Sequence, residues 1–399
     1  MALPALASIP IPDDLLEDIF LRLPTLDTLC ASATCTSFYC VIKGHAFRRR
    51  FRALHRPPLP GFMDVAGFQP AQAPHPSAPL ASALGPKAPA GARDGRVLFD
   101  WISLMNRSEL VEFYHDGRRL TRTKRERCKA ADFHLAICDP LSRRYVLLPT
   151  IPEDLAAQPH DCLWEFEPIL APKTNNNNEE EPFKVICIGR CRRKVILFVF
   201  RSTTMQWYVV ESPDHLSLED MSCFDCVRDC FYWTRLWFWS DHLMVLDTRT
   251  LKFSTVYFLT SYHRQLGDTD PSYDNRRPNE VAEGREGAIE MFTFVCQHGS
   301  YALHHTSLQD NSHEWKLQKI VQLPGQYHAY SISTVGAAEG FLFFQGALPG
   351  IEIGNVDCYS MDIKTYEIAK VCIKTVYMFD RKRAIPYFSF PRLLSEPTI

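Results

Sequence analysis

Five times between residues 139 and 368 one short pattern returns. An acidic or polar residue is followed three places later by Ser or Thr, and three later again by an aromatic or β-branched residue. Asp139, Ser142 and Tyr145 make one copy, Asp247, Thr250 and Phe253 a second, and Asp362, Thr365 and Ile368 a third. Arg201, Thr204 and Trp207 share the offsets, as do Gln309, Ser312 and Trp315. Apolar runs precede the copies: residues 133–138, 195–200, 243–246 and, more loosely, 356–361. The physical sense is a turn between two strands. Asp or Ser/Thr side chains satisfy turn N–H groups, and the next aromatic enters the following strand. A spacing of roughly 50 residues suits a four-stranded propeller blade. Residues 96–399 would then hold about six blades, an arrangement that leaves only short sheet edges exposed.

The chain before this region is different. Residues 11–24 read Ile-Pro-Asp-Asp-Leu-Leu-Glu-Asp-Ile-Phe-Leu-Arg-Leu-Pro. Pro12 suits the start of a helix, where a missing N–H costs nothing. Asp13 and Asp14 put negative charge at the positive end of the helix dipole and are candidate caps. Leu15, Leu16, Ile19, Phe20 and Leu23 recur at helical spacing and form a wide apolar face. Pro24 ends the helix. Thr25 or Asp27 can cap a second helix carrying Leu26, Leu29, Cys30 and Ala33. A third short element carries Phe38, Tyr39, Val41 and Ile42. Such a segment is too small to bury its own apolar face, so a partner surface is expected to cover it.

Between the two regions, residues 57–95 are rich in Pro and Ala. From Gln69 to Gly95 large apolar side chains are nearly absent. A tether is expected there. The domain division is therefore 8–56 helical, 57–95 linker and 96–399 all-β, an α+β multidomain chain.

Residues 11–42 closely resemble the F-box family. That family opens with a hydrophobic residue, Pro, an acidic position and a Leu pair, then Ile with Leu or Phe, then Leu-Pro. The corresponding residues are Ile11-Pro12-Asp13-Asp14-Leu15-Leu16, Ile19-Phe20 and Leu23-Pro24. Residues 29–35 resemble the family's small-residue helix ending in Cys, and Phe38 stands where the family usually has Trp. The resemblance implies docking to a Skp-type adaptor, and through it a cullin, by Pro12, Leu15, Leu16, Ile19, Leu23, Pro24, Leu26 and Leu29. Residues 138–149, 245–250 and 359–365 resemble recurring phrases of plant F-box-associated, kelch-like or propeller-like domains. No Gly-Gly or Trp-Asp pair occurs, so neither a standard kelch nor a standard WD array is implied, and a concave β-sandwich stays open. The implied function is a non-catalytic substrate receptor of a Skp–cullin–F-box ubiquitin ligase, in cytoplasm or nucleus, with an unknown target protein. A glycan- or peptide-binding module without ligase function is the alternative, and a propeller enzyme a second.

Other clusters carry less. Cys223, Cys226 and Cys230 have zinc-like spacing but no second knuckle. The 14 Cys read mainly as reduced, buried small hydrophobes. His304, His305 and His313 read as a solvated turn rather than ligands. Residues 231–233 and 236–239 form an aromatic block, expected as blade core rather than a stacking platform. The basic run at 118–129 reads as a solvated hairpin loop, with nuclear import or an acidic partner as alternatives. The Asn106-Arg107-Ser108 sequon is expected to stay unmodified. Polar insertions at 173–181 and 264–287 are expected to be solvated loops that could contact a target. No Gly-x-Ser-x-Gly, His-Glu-x-x-His or phosphate-binding Gly-rich loop is present, so no catalytic, metal or cofactor residue is assigned. The N-terminus lacks a basic region, which argues against a secretory signal. No apolar run approaches a membrane span. A net charge of −2 gives no reason to expect nucleic acid.

Overall fold

The computed structural model describes residues 11–64, 67–84, 98–100, 110–114, 134–139, 144–156, 165–171, 183–190, 195–211, 221–235, 242–257, 279–284, 287–297, 299–308, 315–347, 354–376, 385–388, 390–391 and 393–394. Four helices come first: α1 (Asp13–Phe20), α2 (Thr25–Ser32), α3 (Thr36–Lys43) and α4 (His45–Leu54). Three were expected. Pro12 and Pro24 each stand just before a helix with φ near the proline value, −57° and −56°. The Pro12 carbonyl accepts from Leu15 N and Leu16 N, both at 3.1 Å, and Pro24 from Thr28 N at 3.0 Å. The expected side-chain caps are absent: neither helix has a capping hydrogen bond from a side chain. Asp13, Asp14 and Asp27 lie in first turns, where the helix dipole favours their charge. Thr28, fully buried, donates its hydroxyl back to the Pro24 carbonyl at 3.0 Å.

The fourth helix explains how so small a lobe holds together. Phe47 and Phe51, one turn apart, are 1% and 0% exposed, while Arg49 and Arg50 face solvent. Leu16, Phe20, Leu21, Ile42, Phe47 and Phe51 form one core, and Leu394 from the far end of the chain completes it. Phe38 packs edge-on against Phe20 with centroids 5.0 Å apart, an arrangement aromatic quadrupoles favour. Arg50 reaches Glu17 on α1 at 2.7 Å.

The chain then forms a hairpin, β1 (Gly61–Asp64) and β2 (Gly67–Pro70), and a short helix α5 (Ala78–Leu84). This overturns the tether expectation over residues 57–84. Leu59, Phe62, Ala71 and Ala81 lie in one core with Phe343, Val371, Cys372 and Phe388. Gln72 N donates to the Val371 carbonyl at 2.7 Å. Composition misled here because alanine can be buried by virtue of small size. Ala71, Ala78 and Ala81 are 4%, 8% and 2% exposed. At Gly61 a β-carbon would collide with the Gln69 carbonyl, so the hairpin needs glycine there. Residues 85–97 lie outside the described set.

Five antiparallel four-stranded sheets follow, each a simple meander. Sheet 1 holds β3 (Leu98–Asp100), β4 (Leu110–Tyr114), β5 (His134–Asp139) and β6 (Arg144–Leu147). A helical turn, α6 (Glu153–Ala156), leads to sheet 2, with β7 (Glu165–Ala171), β8 (Lys184–Arg190), β9 (Val195–Arg201) and β10 (Gln206–Glu211). Sheet 3 holds β11 (Met221–Val227), β12 (Cys230–Arg235), β13 (His242–Asp247) and β14 (Lys252–Tyr257). Sheet 4 holds β15 (Asn279–Glu283), β16 (Ile289–Gln297), β17 (Ser300–Leu308) and β18 (Trp315–Gln322). Sheet 5 holds β19 (Ser331–Ala338), β20 (Phe341–Ala347), β21 (Gly354–Asp362) and β22 (Ile368–Val376). The sixth sheet joins the two ends of the chain: β23 (Ile385–Tyr387) pairs with β1, which pairs with β2.

Neighbouring sheets pack face to face in chain order. One core joins sheets 1 to 3, including Ile137, Phe198 and Trp233. Others join sheet 3 to 4, 4 to 5 and 5 to 6. Central strands are covered on both faces, which is why β9 reads Val-Ile-Leu-Phe-Val-Phe without alternation. First strands touch first strands, β3 with β7, β11 with β15 and β15 with β19, and β19 touches the edge strand β23 of the sixth sheet.

The repeated motif falls at one place in this scheme. All five copies span the connection from third to fourth strand of a sheet. Asp247 Oδ1 accepts from Arg249 N at 2.7 Å and Thr250 N at 3.0 Å. Asp362 Oδ1 does the same with Lys364 N at 2.8 Å and Thr365 N at 3.0 Å. Four residues after three of the motif starts, Met205, Leu251 and Tyr366 have φ of 55°, 56° and 62°. A left-handed residue is costly there without glycine, and the Asp-to-backbone bonds help hold the turn.

Other expectations fare differently. Phe231, Tyr232 and Trp233 are buried, at 0%, 5% and 0% exposed, as the core reading required. Residues 236–239, 118–129, 106–108 and 173–181 lie outside the described set. The 264–287 insertion is not loop throughout: its residues 279–283 are β15, with Glu280 and Val281 fully buried. His304 and His305 are not in a turn. They lie within β17, 5% and 9% exposed. Of the described cysteines, Cys187, Cys358 and Cys372 are buried as expected, Cys230 is half-buried, and Cys30, Cys35, Cys40 and Cys296 are exposed, contrary to expectation. No described helix is long and apolar enough to cross a membrane.

Candidate functional site

The outward face of α1 is an apolar line. Ile11, Leu15 and Ile19 recur every four residues and are 49%, 53% and 44% exposed. Side chains four apart stack along one side of a helix, so the line runs the length of α1. Leu26 on α2 and Tyr39 on α3 add exposed apolar surface, at 38% and 40%. Pro12 and Pro24 are exposed at either end of the helix.

Of the eight residues that the F-box resemblance assigns to adaptor docking, five are exposed: Pro12, Leu15, Ile19, Pro24 and Leu26. Leu23 and Leu29 are half-buried against the lobe core. Leu16 is 4% exposed and points into that core, one residue out of phase with Leu15. Sequence spacing alone merges these two faces, because Leu15, Leu16, Ile19, Phe20 and Leu23 form one unbroken apolar stripe. The packing separates them.

A second feature ties the lobe to the sheets. Arg52 donates to the Leu394 carbonyl at 2.9 Å, and Phe390 meets Phe51 edge-on at 6.2 Å. His55 stacks on Phe51 at 4.1 Å, and its Nε2 lies 2.7 Å from the Leu21 carbonyl. Arg56 then reaches the sheets. Its guanidinium lies 3.4 Å from Asp362 and 5.6 Å from the centre of the Phe341 ring. Nothing in the sequence flagged residues 390–394 or Arg56, since a contact between chain ends leaves no periodic trace.

Beside Arg56 a cleft of about 910 Å³ opens between sheets 4 and 5. That is near the upper end of small-ligand pocket sizes. Its polar lining includes Glu283, Glu290, His305, Lys319, Glu339 and Lys364. His305 Nε2 is 3.2 Å from Glu290 Oε2, its Nδ1 is 2.9 Å from the Tyr366 hydroxyl, and its ring stacks on Phe292. The Lys319 ammonium sits 4.3 Å above the Tyr366 ring. Tyr366 is a residue of the repeated turn, so the motif that builds the fold also supplies a cleft wall.

Of the three zinc-like cysteines, the side chains of Cys223 and Cys226 lie outside the described set and Cys230 alone is described. Burial raises the Cys230 thiol above its usual range, and the charges of Asp247 and Asp229 push it the same way, away from the thiolate a metal needs. Among the described residues no group of three or more His, Cys, Asp or Glu is placed to hold a metal ion. Tyr359 is likewise raised, by burial and then by Asp357, to which its hydroxyl donates at 3.1 Å.

Among solved structures, the following are distant likenesses. Hydrazine synthase of Kuenenia stuttgartiensis matches with 10% identity and a TM-score of 0.34, covering 67% of this chain and 64% of that one. A putative TolB from Agrobacterium tumefaciens gives 9% and 0.35, covering 73% and 91%. A mutant of the GH43 protein BlXynB from Bacillus licheniformis gives 8% and 0.32, covering 74% and 57%. No curated protein sequence matches. The helical lobe is another matter: residues 11–50, which carry the exposed apolar line, match the F-box domain family and form an F-box domain.

Proposed function

We propose that this chain is a substrate receptor of a Skp–cullin–F-box ubiquitin ligase. The carrying observation is the outward line of Ile11, Leu15 and Ile19 with Leu26, left bare on an F-box domain whose inner face packs Leu16, Phe20, Phe47 and Phe51 into a core. In this reading a Skp-type adaptor covers that line and brings the cullin with it. The sheets hold a target protein in cytoplasm or nucleus, and the chain performs no bond chemistry. Its contribution is proximity, a raised effective concentration of target lysines. The contacts from Arg52 to Leu394 and from Arg56 to Asp362 support the reading, because a lobe fixed to the rest of the chain presents its target at a fixed reach.

We read the sheets as a six-bladed propeller. Five blades are the four-stranded meanders. The sixth is closed by β1 and β2 from the N-terminal side and β23 from the C-terminal side. The face-to-face cores and the touching first strands support this arrangement.

The test is adaptor capture by the full chain. Leu15→Asp with Ile19→Asp should abolish capture while far-ultraviolet circular dichroism stays unchanged, because both side chains are already in water. Capture that survives the double substitution defeats the reading.

A further inference from the structure

We propose that the cleft between sheets 4 and 5 binds a carboxylate-rich peptide segment. The proposal rests on the receptor reading and names the chemistry of its target. The argument is which charges on the cleft wall are already spent. Three carboxylates line it, and all are engaged. Glu290 pairs with His305, Glu283 with Arg228 at 3.4 Å, and Glu339 is also occupied.

The cations are in a different state. Among the described residues no carboxylate pairs with the ammonium of Lys319 or of Lys364, and both side chains are exposed on the cleft wall. Lys319 is held over the Tyr366 ring, a contact that fixes the charge in place without neutralising it. Arg56 uses Nη1 on Asp362 and keeps further donors of its fork. The cleft therefore offers two ammonium groups that no described carboxylate pairs with, Lys319 held over an aromatic ring and Lys364 beside it on the wall, in a concave site where field lines concentrate. Charged hydrogen bonds to carboxylates are among the stronger ones available. The remaining lining, Ala282, Ala337, Ala338 and Ile363, suits the backbone and small side chains of an extended segment.

The test uses the full-length chain and a fluorescein-labelled hexaglutamate peptide, read by anisotropy. Saturable binding is expected, weakening as salt rises. Lys319→Glu with Lys364→Glu should reduce affinity at least tenfold. Adaptor capture should be unchanged in that variant, which separates failure of this proposal from failure of the receptor reading and confirms that the lobe is folded. Three results would each overturn the proposal: no saturation at millimolar peptide, equal affinity in the variant, or tighter binding of labelled hexalysine. Displacement of hexaglutamate by a six-nucleotide thymidine oligomer at lower concentration than unlabelled hexaglutamate would also overturn it, since the site would then be one for nucleic acid.

Discussion

The helical lobe at residues 11–56 and the sheets beyond it display opposite kinds of surface. The lobe leaves an apolar line in water, while Leu16, Phe20, Ile42, Phe47 and Phe51 fill its inner core. The sheets bury their aromatics and present a cleft walled by charge. Neither region is self-contained. The lobe takes Leu394 into its core, and the sixth sheet takes β1 and β2 from the segment just after the lobe. The chain is thus closed on itself twice, once through hydrophobic packing and once through strand pairing. The difference matters for function. An apolar line suits a lasting contact with a partner that is always present, whereas a polar cleft suits a ligand that exchanges.

The largest effect should come from the strand-pairing closure. Phe62 is fully buried and meets Phe343 edge-on at 5.6 Å. Phe62→Ala should cost about 3–5 kcal/mol of stability, read by urea unfolding. A residue in a free tether would cost nothing, so a null result would restore the linker and break the comparison.

The hydrophobic closure comes next. Leu394→Ala removes a fully buried side chain from the lobe core and should cost about 2–5 kcal/mol. The loss should appear in hydrogen exchange as reduced protection of α4, with β16 and β17 unaffected. If protection falls equally in all three, the lobe and the sheets unfold as one unit and the two-region description fails.

How much of this was open to sequence reading follows from the same contrast. A helix announces itself through spacing and flanking prolines, so α1 was legible residue by residue. What spacing could not do was tell Leu15 from Leu16, because only tertiary packing decides which half of a wide stripe faces in. In the sheets the turns were legible, since Asp247 and Asp362 do local work that leaves a local signature. The sixth sheet was not, because it pairs residues more than 300 positions apart. His304 and His305 were misplaced for a related reason. Two polar residues in a row suggest a turn, yet β17 is a central strand and its buried face is polar where it meets Glu290 and Tyr366. The Lys319 and Lys364 cleft was invisible from sequence, as its walls come from two different sheets.

A smaller effect should come from the turns. Asp247→Ala deletes two hydrogen bonds to backbone N–H groups and leaves Leu251 at positive φ unsupported. The expected cost is about 1–2 kcal/mol. Adding Leu251→Gly should recover part of it, because glycine tolerates that conformation. If the second change restores nothing, the aspartate holds the turn for another reason.

The smallest effect concerns pH and the segment that was expected to be a tether. His75 lies between β2 and α5, and burial lowers its pKa below the usual 6.5. Ser77 N donates to its Nδ1 at 3.2 Å, a bond only the neutral ring can accept. The unfolded chain therefore takes up a proton more readily than the folded one. Stability from this group is complete above pH 6.5 and declines as pH falls through the lower folded value. Protection against hydrogen exchange across residues 71–84, after division by the intrinsic rate at each pH, should fall as pH goes from 7.5 to 5.5. His75→Gln, which cannot be protonated, should flatten that dependence and leave α4 exchange as it was. An unchanged pH profile in the glutamine variant would assign the effect to some other group and remove His75 from the closure.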